Sequence, residues 1–178
     1  MSETAGIDLT AAEELAVDLG SRHGPDESES LAKEQYLTFL IADKEYGVNI
    51  LNVQEIRCWG AVTPLPGSSD DLKGVMNLRG AIIPIVDLRY KMTSSEINYN
   101  VRTIVIVLHM KCEGKDRLIG AVVDAVSDVC DVGEENLREA PEVTDKIGVE
   151  YIDRLAQLGE RMVILLDTDK ISIDIPDE

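Results

Sequence analysis

Aromatic and basic residues are scarce in this sequence, and each shortage excludes a class of function. Aromatic residues make up 4% of the 178 residues, so we do not expect a large ligand pocket walled by aromatic rings. The 17 Lys and Arg residues face 34 Asp and Glu residues, which leaves a net charge of −17. Because binding to a phosphate backbone depends on clustered Lys and Arg, we do not expect nucleic acid as a partner.

Cysteine and histidine are too few for a disulfide framework or a metal site. The three cysteines, Cys58, Cys112 and Cys130, are odd in number and form no CxxC pair, which is typical of packing residues in a reducing compartment. His109 and Cys112 have a ligand-like spacing, but a single pair without further His or Cys cannot complete a zinc site. The sequence also has no glycine-rich phosphate loop. We therefore expect neither a metal nor a cofactor.

Long apolar runs and targeting signals are also missing. No apolar stretch approaches the roughly 20 residues that a membrane-spanning helix needs. The N-terminus has neither the basic region nor the apolar region of a signal peptide. We therefore expect a cytoplasmic protein without direct membrane insertion. With 44% hydrophobic residues, a chain of 178 residues is long enough to bury a core of its own.

Residues 1–34 differ in composition from the rest of the chain. They hold nine acidic and two basic residues, and they include the tract GPDESESLAKE, whose composition is typical of a flexible linker. We predict a flexible acidic extension over residues 1–34 and a folded domain over residues 35–178.

The stretch GVMNLRGAIIPIVDLR is predicted to form a β-hairpin. Val75–Leu78 and Ala81–Val86 are rich in β-branched and aliphatic residues, and Arg79-Gly80 supplies the backbone freedom of a tight turn. Pro84 cannot donate a backbone hydrogen bond, which predicts an edge strand or a bulge. Arg79 at the tip has two interpretations: an anchor for a partner carboxylate, or a structural Arg that ties the turn to a neighbouring acid or carbonyl.

Alternating apolar residues predict further short strands, and i, i+3 spacing predicts short helices between them. Nearly continuous apolar character in VRTIVIVLH is typical of a strand buried on both faces. The predicted strands are Tyr36–Ile41, Tyr46–Ile50, Val101–His109, Arg117–Asp124, Val126–Val132, Arg161–Leu166 and Lys170–Ile175, and the predicted helices are Ile50–Ile56 and Tyr151–Leu158.

An internal repeat organises these elements. Gly47 aligns with Gly120 at an offset of 73 residues, and IIPIVD aligns with MVILLD at an offset of 80. Two units of about five short strands each are typical of small β-barrels, which remove exposed edges by closure. Whether each barrel uses consecutive strands or the two exchange their ends stays open. Arg79 aligns with Gly159, so this Arg is particular to the first unit, which favours a contact role.

Glu55 and Asp128 are equivalent in the repeat and raise a catalytic alternative. Two carboxylates can serve as acid and base if they face each other across a cleft. Acidic residues on short exposed elements are mostly solvated, so this interpretation ranks below a binding function.

Four stretches resemble the bacterial chemotaxis coupling family CheW: YLTFLIADKEYGVNILNVQEIR, LKGVMNLRGAIIPIVDLRYKM, IGAVVDAVSDV and EYIDRLAQLGERMVILLD. The resemblance covers Gln35 to Ile171. It implies a mainly β fold of two five-stranded SH3-like β-barrels packed around a shared core, with short helices between strands and no enzymatic activity. It further implies an adaptor between methyl-accepting chemoreceptors, bound at their cytoplasmic tip, and the regulatory domain of the histidine kinase CheA in membrane-associated arrays.

The same resemblance implies a set of partner-binding residues. The first unit would contribute Val53, Glu55 and Ile56, Lys73 and Gly74 before the hairpin, and Arg79 at its tip, and the second unit would contribute Ile104, Gly120, Val126 and Val129. Trp59 departs from the family pattern and would either pack under the barrel or enlarge an interface. The alternative function is a β-barrel module that binds a small molecule or an oligonucleotide.

Overall fold

The computed structural model describes residues 32–95, 97–141 and 148–171. The predicted acidic extension therefore lies almost wholly outside the described residues. Within the described residues the chain forms eleven strands and one short α-helix. They are β1 (Glu34–Ile41), β2 (Lys44–Asn49), β3 (Val53–Cys58), β4 (Leu72–Leu78), β5 (Ala81–Asp87), α1 (Leu88–Thr93), β6 (Ile104–Cys112), β7 (Lys115–Val123), β8 (Ala125–Val132), β9 (Leu137–Glu139), β10 (Ile152–Leu158) and β11 (Arg161–Leu166).

The strands form two sheets that exchange segments between the repeats. The six-stranded sheet has the order β8-β1-β2-β11-β10-β9, and the five-stranded sheet has the order β3-β6-β7-β5-β4. Each sheet therefore combines the first two strands of one repeat with the later strands of the other. This confirms the predicted fold of two packed barrel-like halves and answers how their strands are distributed.

Strand β9 matches no predicted element, whereas β3 and β10 take the place of the two predicted helices. It pairs with β10, with Leu155 opposite Arg138. Its counterpart in the first repeat is a single bridge between Thr63 and Val75, which aligns with Leu155. The first repeat thus has the same strand pairing, reduced to a single bridge.

Three apolar clusters make up the core, one between the sheets and one inside each half. The central cluster is built by β1 and β2 of one sheet and β6 and β7 of the other. Residues 105–108 of β6 are all buried, and they alternate between the central cluster and the cluster inside the five-stranded sheet. This confirms the prediction that this apolar strand is buried on both faces. The central cluster includes Leu37, Phe39, Ile41, Val48, Ile106, Leu108, Ile119 and Ala121.

The predicted helices over Ile50–Ile56 and Tyr151–Leu158 are wrong. Each segment holds one 3-10 turn, Ile50–Asn52 or Val149–Tyr151, followed by a strand. In β3 the register shifts between Val53 and Glu55, so Gln54 is an extra residue that forms a β-bulge. The bulge lets Val53 and Ile56, three residues apart, both pack against the central cluster, which imitates helical spacing.

The hairpin at Arg79-Gly80 is confirmed, whereas the prediction of an edge strand or a bulge at Pro84 is wrong. Strand β5 lies between β4 and β7. Pro84 pairs with Val75, whose N–H and C=O both bond to Thr63 on the opposite side. The parallel ladder to β7 begins only at Ile85, so the missing N–H of Pro84 costs no ladder hydrogen bond. The predicted last strand, Lys170–Ile175, begins inside the 3-10 turn Thr168–Lys170, and its residues beyond 171 lie outside the described residues.

Gly47 and Gly120 occupy the two places where the exchanged strands meet in parallel. Gly47 pairs with Leu165 of β11, and Gly120 pairs with Ile85 of β5. A Cβ at Gly120 would overlap the Ile85 side chain and lie 2.9 Å from Val105 Cγ1, whereas a Cβ at Gly47 would lie 3.0 Å from Leu165 Cδ2. The crossing is therefore tighter at Gly120.

We predict that Gly120→Ala destabilises the fold by about 1–3 kcal/mol, because a methyl group overpacks a site that has no free space. Gly47→Ala should cost less, and Gly60→Ala should cost least, since its nearest neighbour would be the Cys58 carbonyl oxygen at 3.9 Å. Urea denaturation of the three variants and the parent measures this order. A Gly120→Ala variant as stable as Gly60→Ala would contradict the account of the crossing.

Candidate partner-binding surface

The hairpin tip presents Arg79 to solvent in a strained but well-supported turn. Arg79 has a φ of 50° and Gly80 a φ of 93°, so both lie in the left-handed region that a two-residue hairpin turn requires. The Asn77 Oδ1 atom accepts a hydrogen bond from the Gly80 N–H at 2.9 Å. The Arg79 side chain is 80% exposed. The turn thus fixes the backbone while it leaves the guanidinium accessible.

Glu55 on β3 is the ion-pair partner of Arg79. The Arg79 Nη2 atom lies 3.2 Å from Glu55 Oε2, and Arg57 Nε lies 3.5 Å from Glu55 Oε1. The Glu55 side chain is only 18% exposed. Both interpretations of Arg79 therefore apply in part: an acid of the chain holds it, and most of its surface stays free for a partner.

Closure of the five-stranded sheet brings the tip towards β3. β3 and β4 are its edge strands, and Thr63 in the connection between them bonds to Val75 at 2.8 and 2.9 Å. Gly74 makes this approach possible, because it has a φ of 137° and a Cβ there would overlap the Thr63 carbonyl. Gly74 is buried and allows the sheet to close, and its place among the partner-binding residues stays a prediction.

Gly120 is a packing residue of the five-stranded sheet, and its place among the partner-binding residues likewise stays a prediction. It is buried, and its missing side chain makes room for Ile85 and Val105. A substitution there would disturb the five-stranded sheet from inside. Any effect on a partner would then be indirect.

Lys73 lies beside α1 and is already engaged within the chain. Its Nζ atom donates to the Asp70 carbonyl and lies 5.1 Å from the centre of the Tyr90 ring. The Tyr90 hydroxyl donates to Asp70 Oδ2 at 3.2 Å, and this bond, together with the Asp70 charge, raises the pKa of Tyr90. Lys73 is half-buried, so only part of its side chain is accessible to a partner.

The five predicted aliphatic positions share one environment. Each is half-buried and packs with its inner side against the cluster between the sheets. Their outer sides provide apolar surface close to charged residues, which is the composition of many protein interfaces. They are Val53 and Ile56 on β3, Ile104 on β6, and Val126 and Val129 on β8.

Sequence reasoning missed two exposed apolar residues near this surface. Leu51, two residues before Val53, is 84% exposed, and Ile82, three residues after Arg79, is 62% exposed. The repeat offers a signal for the second, because Ile82 aligns with Met162, which is also exposed. Large exposed aliphatic side chains are uncommon enough on a monomer to indicate a contact surface when they lie beside charged residues.

Trp59 packs within the chain. Its ring stacks on Tyr99 with centroids 4.0 Å apart, and it contacts the cluster inside the five-stranded sheet. The first alternative for Trp59, packing under the barrel, is therefore confirmed. Burial, followed by a hydrogen bond to Asp87, raises the pKa of Tyr99 above its ordinary value.

The two carboxylates of the catalytic alternative lie in different sheets and each has a partner within the chain. Glu55 lies in the five-stranded sheet and Asp128 in the six-stranded sheet. Glu55 pairs with two arginines, and Asp128 Oδ1 accepts from the Val129 N–H at 2.8 Å. Glu55 is thus held by Arg57 of its own strand and by Arg79 of the hairpin tip, and Asp128 is held by the next backbone N–H.

The described residues offer no metal site, no exposed Phe for base stacking and no membrane-spanning helix. No group of three or more His, Cys, Asp or Glu side chains within them is placed to hold a metal ion. The His109 Nε2 atom instead lies 2.6 Å from Gln54 Oε1. Phe39 is fully buried and cannot stack on a base, as an oligonucleotide-binding face would require. No helix in these ranges is long and apolar enough to cross a membrane.

Comparison with known proteins yields one consistent family. A family model described as CheW-like domain matches residues 35–174. The chain is 44% identical to the chemotaxis protein CheW of Klebsiella aerogenes over 138 residues, which cover 78% of this chain and 81% of the relative. It is 32% identical to the chemotaxis protein CheW of Rhizobium meliloti, with 77% and 86% covered. The crystal structure of the scaffolding protein TtCheW from Thermoanaerobacter tengcongensis has the same fold, with a TM-score of 0.71, 24% identity, and 80% and 95% of the chains covered.

A double-mutant cycle with Glu55→Gln and Arg79→Gln should give a coupling energy below about 1 kcal/mol, because the Arg79 side chain is 80% exposed and water screens its charge. Urea denaturation of the parent, both single variants and the double variant measures it. A coupling of several kcal/mol would show that Arg79 is a structural tie and would contradict its assignment to a contact surface.

Proposed function

The chain belongs to the CheW-like domain family, and we propose that it couples the cytoplasmic tips of methyl-accepting chemoreceptors to the regulatory domain of the histidine kinase CheA. Its family membership makes it a non-enzymatic chemotaxis adaptor. The proposal concerns which proteins this adaptor joins.

The observation that carries the proposal is the exposed Arg79, paired with the largely covered Glu55, beside apolar surface. Arg79 is the charged anchor, Glu55 sets its position at 3.2 Å, and Leu51 and Ile82 supply exposed aliphatic area nearby. A partner that docks here gains hydrophobic burial from the aliphatic groups and orientation from the charged pair. Such a surface suits a helical receptor tip or another folded domain.

The two halves of the fold support an adaptor with more than one contact. Val53, Glu55, Ile56 and Arg79 belong to the five-stranded sheet, whereas Val126 and Val129 belong to the six-stranded sheet. Two related sheets with half-exposed aliphatic residues offer two related faces. We propose that the residues of these faces, together with Lys73 and Ile104, bind the receptor and the kinase.

The proposal includes where the protein works and how the chain is divided. We propose that receptor binding recruits it to membrane-associated arrays. We also propose that residues 1–34 are an extension outside the adaptor domain of residues 35–178, which the family match over residues 35–174 supports.

Arg79→Glu should weaken binding to the receptor tip or to the kinase domain by about 1.4 kcal/mol or more, a factor of ten, since it places like charge beside Glu55 and removes the anchor. Isothermal titration calorimetry against a receptor hairpin and a kinase regulatory domain measures this. The thermal midpoint should change little, because the side chain is exposed.

Arg138→Glu is the matched control. Arg138 is an exposed arginine on β9 whose partners among the described residues are the backbone carbonyls of Glu135 and Leu137. Its reversal should leave both affinities close to those of the parent. If the folded parent protein binds neither partner, or if both reversals weaken binding equally, the proposal fails.

A further inference from the structure

A buried ion pair at the end of β5 carries contacts that a solvated surface pair does not. Asp87 is fully buried, and Arg89 is 4% exposed. The Arg89 Nε atom donates to Asp87 Oδ1 at 3.0 Å and Nη2 donates to Oδ2 at 2.9 Å, so the two side chains form a fork. The Tyr99 hydroxyl also donates to Asp87 Oδ2, at 2.7 Å. Although burial opposes the charge, Asp87 and then Asp124 raise the pKa of Arg89.

Arg89 also contacts the connection that leads to the other sheet. Its Nη1 atom donates to Asp124 Oδ1 at 3.2 Å. Asp124 lies between β7 and β8, where the chain passes from the five-stranded to the six-stranded sheet. Asp124 Oδ2 accepts from the Ala42 N–H at 2.9 Å, and the Asp124 N–H donates to the Leu40 carbonyl at 3.0 Å. Arg89 is therefore linked through Asp124 to the β1–β2 turn.

The repeat provides an internal comparison on the opposite side of the fold. Asp167 caps the turn after β11 as Asp87 caps α1 after β5. There the Asp169 carboxylate, at the position that aligns with Arg89, accepts directly from the Lys111 N–H at 2.7 Å. Lys111 corresponds to Ala42 in the strand pairing. We call this contact the Asp169 joint and the contact of Arg89 with Asp124 the Arg89 joint. The Asp169 joint uses an exposed carboxylate, whereas the Arg89 joint uses a buried guanidinium.

The Arg89 joint is also linked to β3, the strand that carries Glu55, through two stacked rings. The guanidinium lies 4.9 Å from the centre of the Tyr99 ring, and Tyr99 stacks on Trp59. Trp59 directly follows β3 and donates its N–H to the Thr103 carbonyl at 2.8 Å. A change at the joint would reach the end of β3 through packed rings.

We propose that Arg89, acting through Asp124, is a positioning residue that sets the orientation of the two sheets and thereby of the partner-binding faces they carry. This inference rests on the proposed function for the role of the faces, whereas the orientation itself is a property of the free protein. A buried fork fixes direction as well as distance, because the planar guanidinium has donors at set angles. The exposed Asp169 joint lacks such a fork.

Asp124→Ala tests the joint without leaving the buried Asp87–Arg89 pair incomplete. The Asp124 side chain is 44% exposed, so its removal should leave a folded protein. Spin labels at Ile82→Cys and Met162→Cys, exposed and equivalent positions in the two sheets, report the orientation by pulsed electron paramagnetic resonance. Cys58, Cys112 and Cys130 are replaced by Ser in this background.

The distance distribution should broaden at least about two-fold in Asp124→Ala and stay unchanged in Asp169→Ala, the matched loss of a carboxylate at the other joint. In unlabelled protein, Asp124→Ala should weaken binding of the kinase domain or the receptor tip by about five-fold or more, which is the lower range of measured couplings between sites. Asp124→Asn keeps one acceptor oxygen, which can serve either Arg89 or Ala42, and should give a distribution between those of the parent and Asp124→Ala.

Each outcome separates this inference from the proposed function. Unchanged distances in a folded Asp124→Ala variant overturn the positioning role of Arg89, whatever the protein binds. Equal broadening in Asp169→Ala overturns it as well, because the Arg89 joint would then have no special part. Absence of binding by the parent protein overturns the proposed function and leaves the distance result valid.

Discussion

The exchange of strands between the two repeats is the constraint on which the rest of the structure depends. Strands β1 and β6 lie inside their sheets and are buried on both faces, so neither repeat can complete its core alone. The central cluster joins both sheets, and Gly47 and Gly120 are small because the exchanged strands cross there. Burial of apolar surface by both repeats together therefore determines the fold.

The exchange also decides which residues lie on the edge strands of the two sheets. Edge strands β3 and β8 carry the half-buried valines and isoleucine of the candidate surface, and β-bulges in both strands turn these side chains towards the core. The halves are related but not equal. The first has the Arg79–Glu55 pair and the buried Arg89 joint, whereas the second has Gly159 and Asp169 at the aligned positions. This inequality gives an adaptor two distinguishable faces.

The sequence allowed most of this fold to be predicted, since turns such as Arg79-Gly80 and the aligned Gly47 and Gly120 depend on local chemistry. It did not allow the bulged strand β3 to be told from a helix, because one extra residue changes a period of two into a spacing of three. Site residues followed from a family resemblance, which does not separate an exposed Arg79 from a buried Gly120. Long-range pairs such as Arg89 with Asp124 depend on the fold and have no local signal.

The central claim is that one molecule of this chain holds a receptor tip and a kinase regulatory domain at the same time. Size-exclusion chromatography with light scattering on the three purified proteins measures this most directly. The account predicts one complex with the summed mass of all three, and no receptor–kinase complex when the chain is absent. Two binary complexes that exclude each other, or a receptor–kinase complex that forms without the chain, would contradict it.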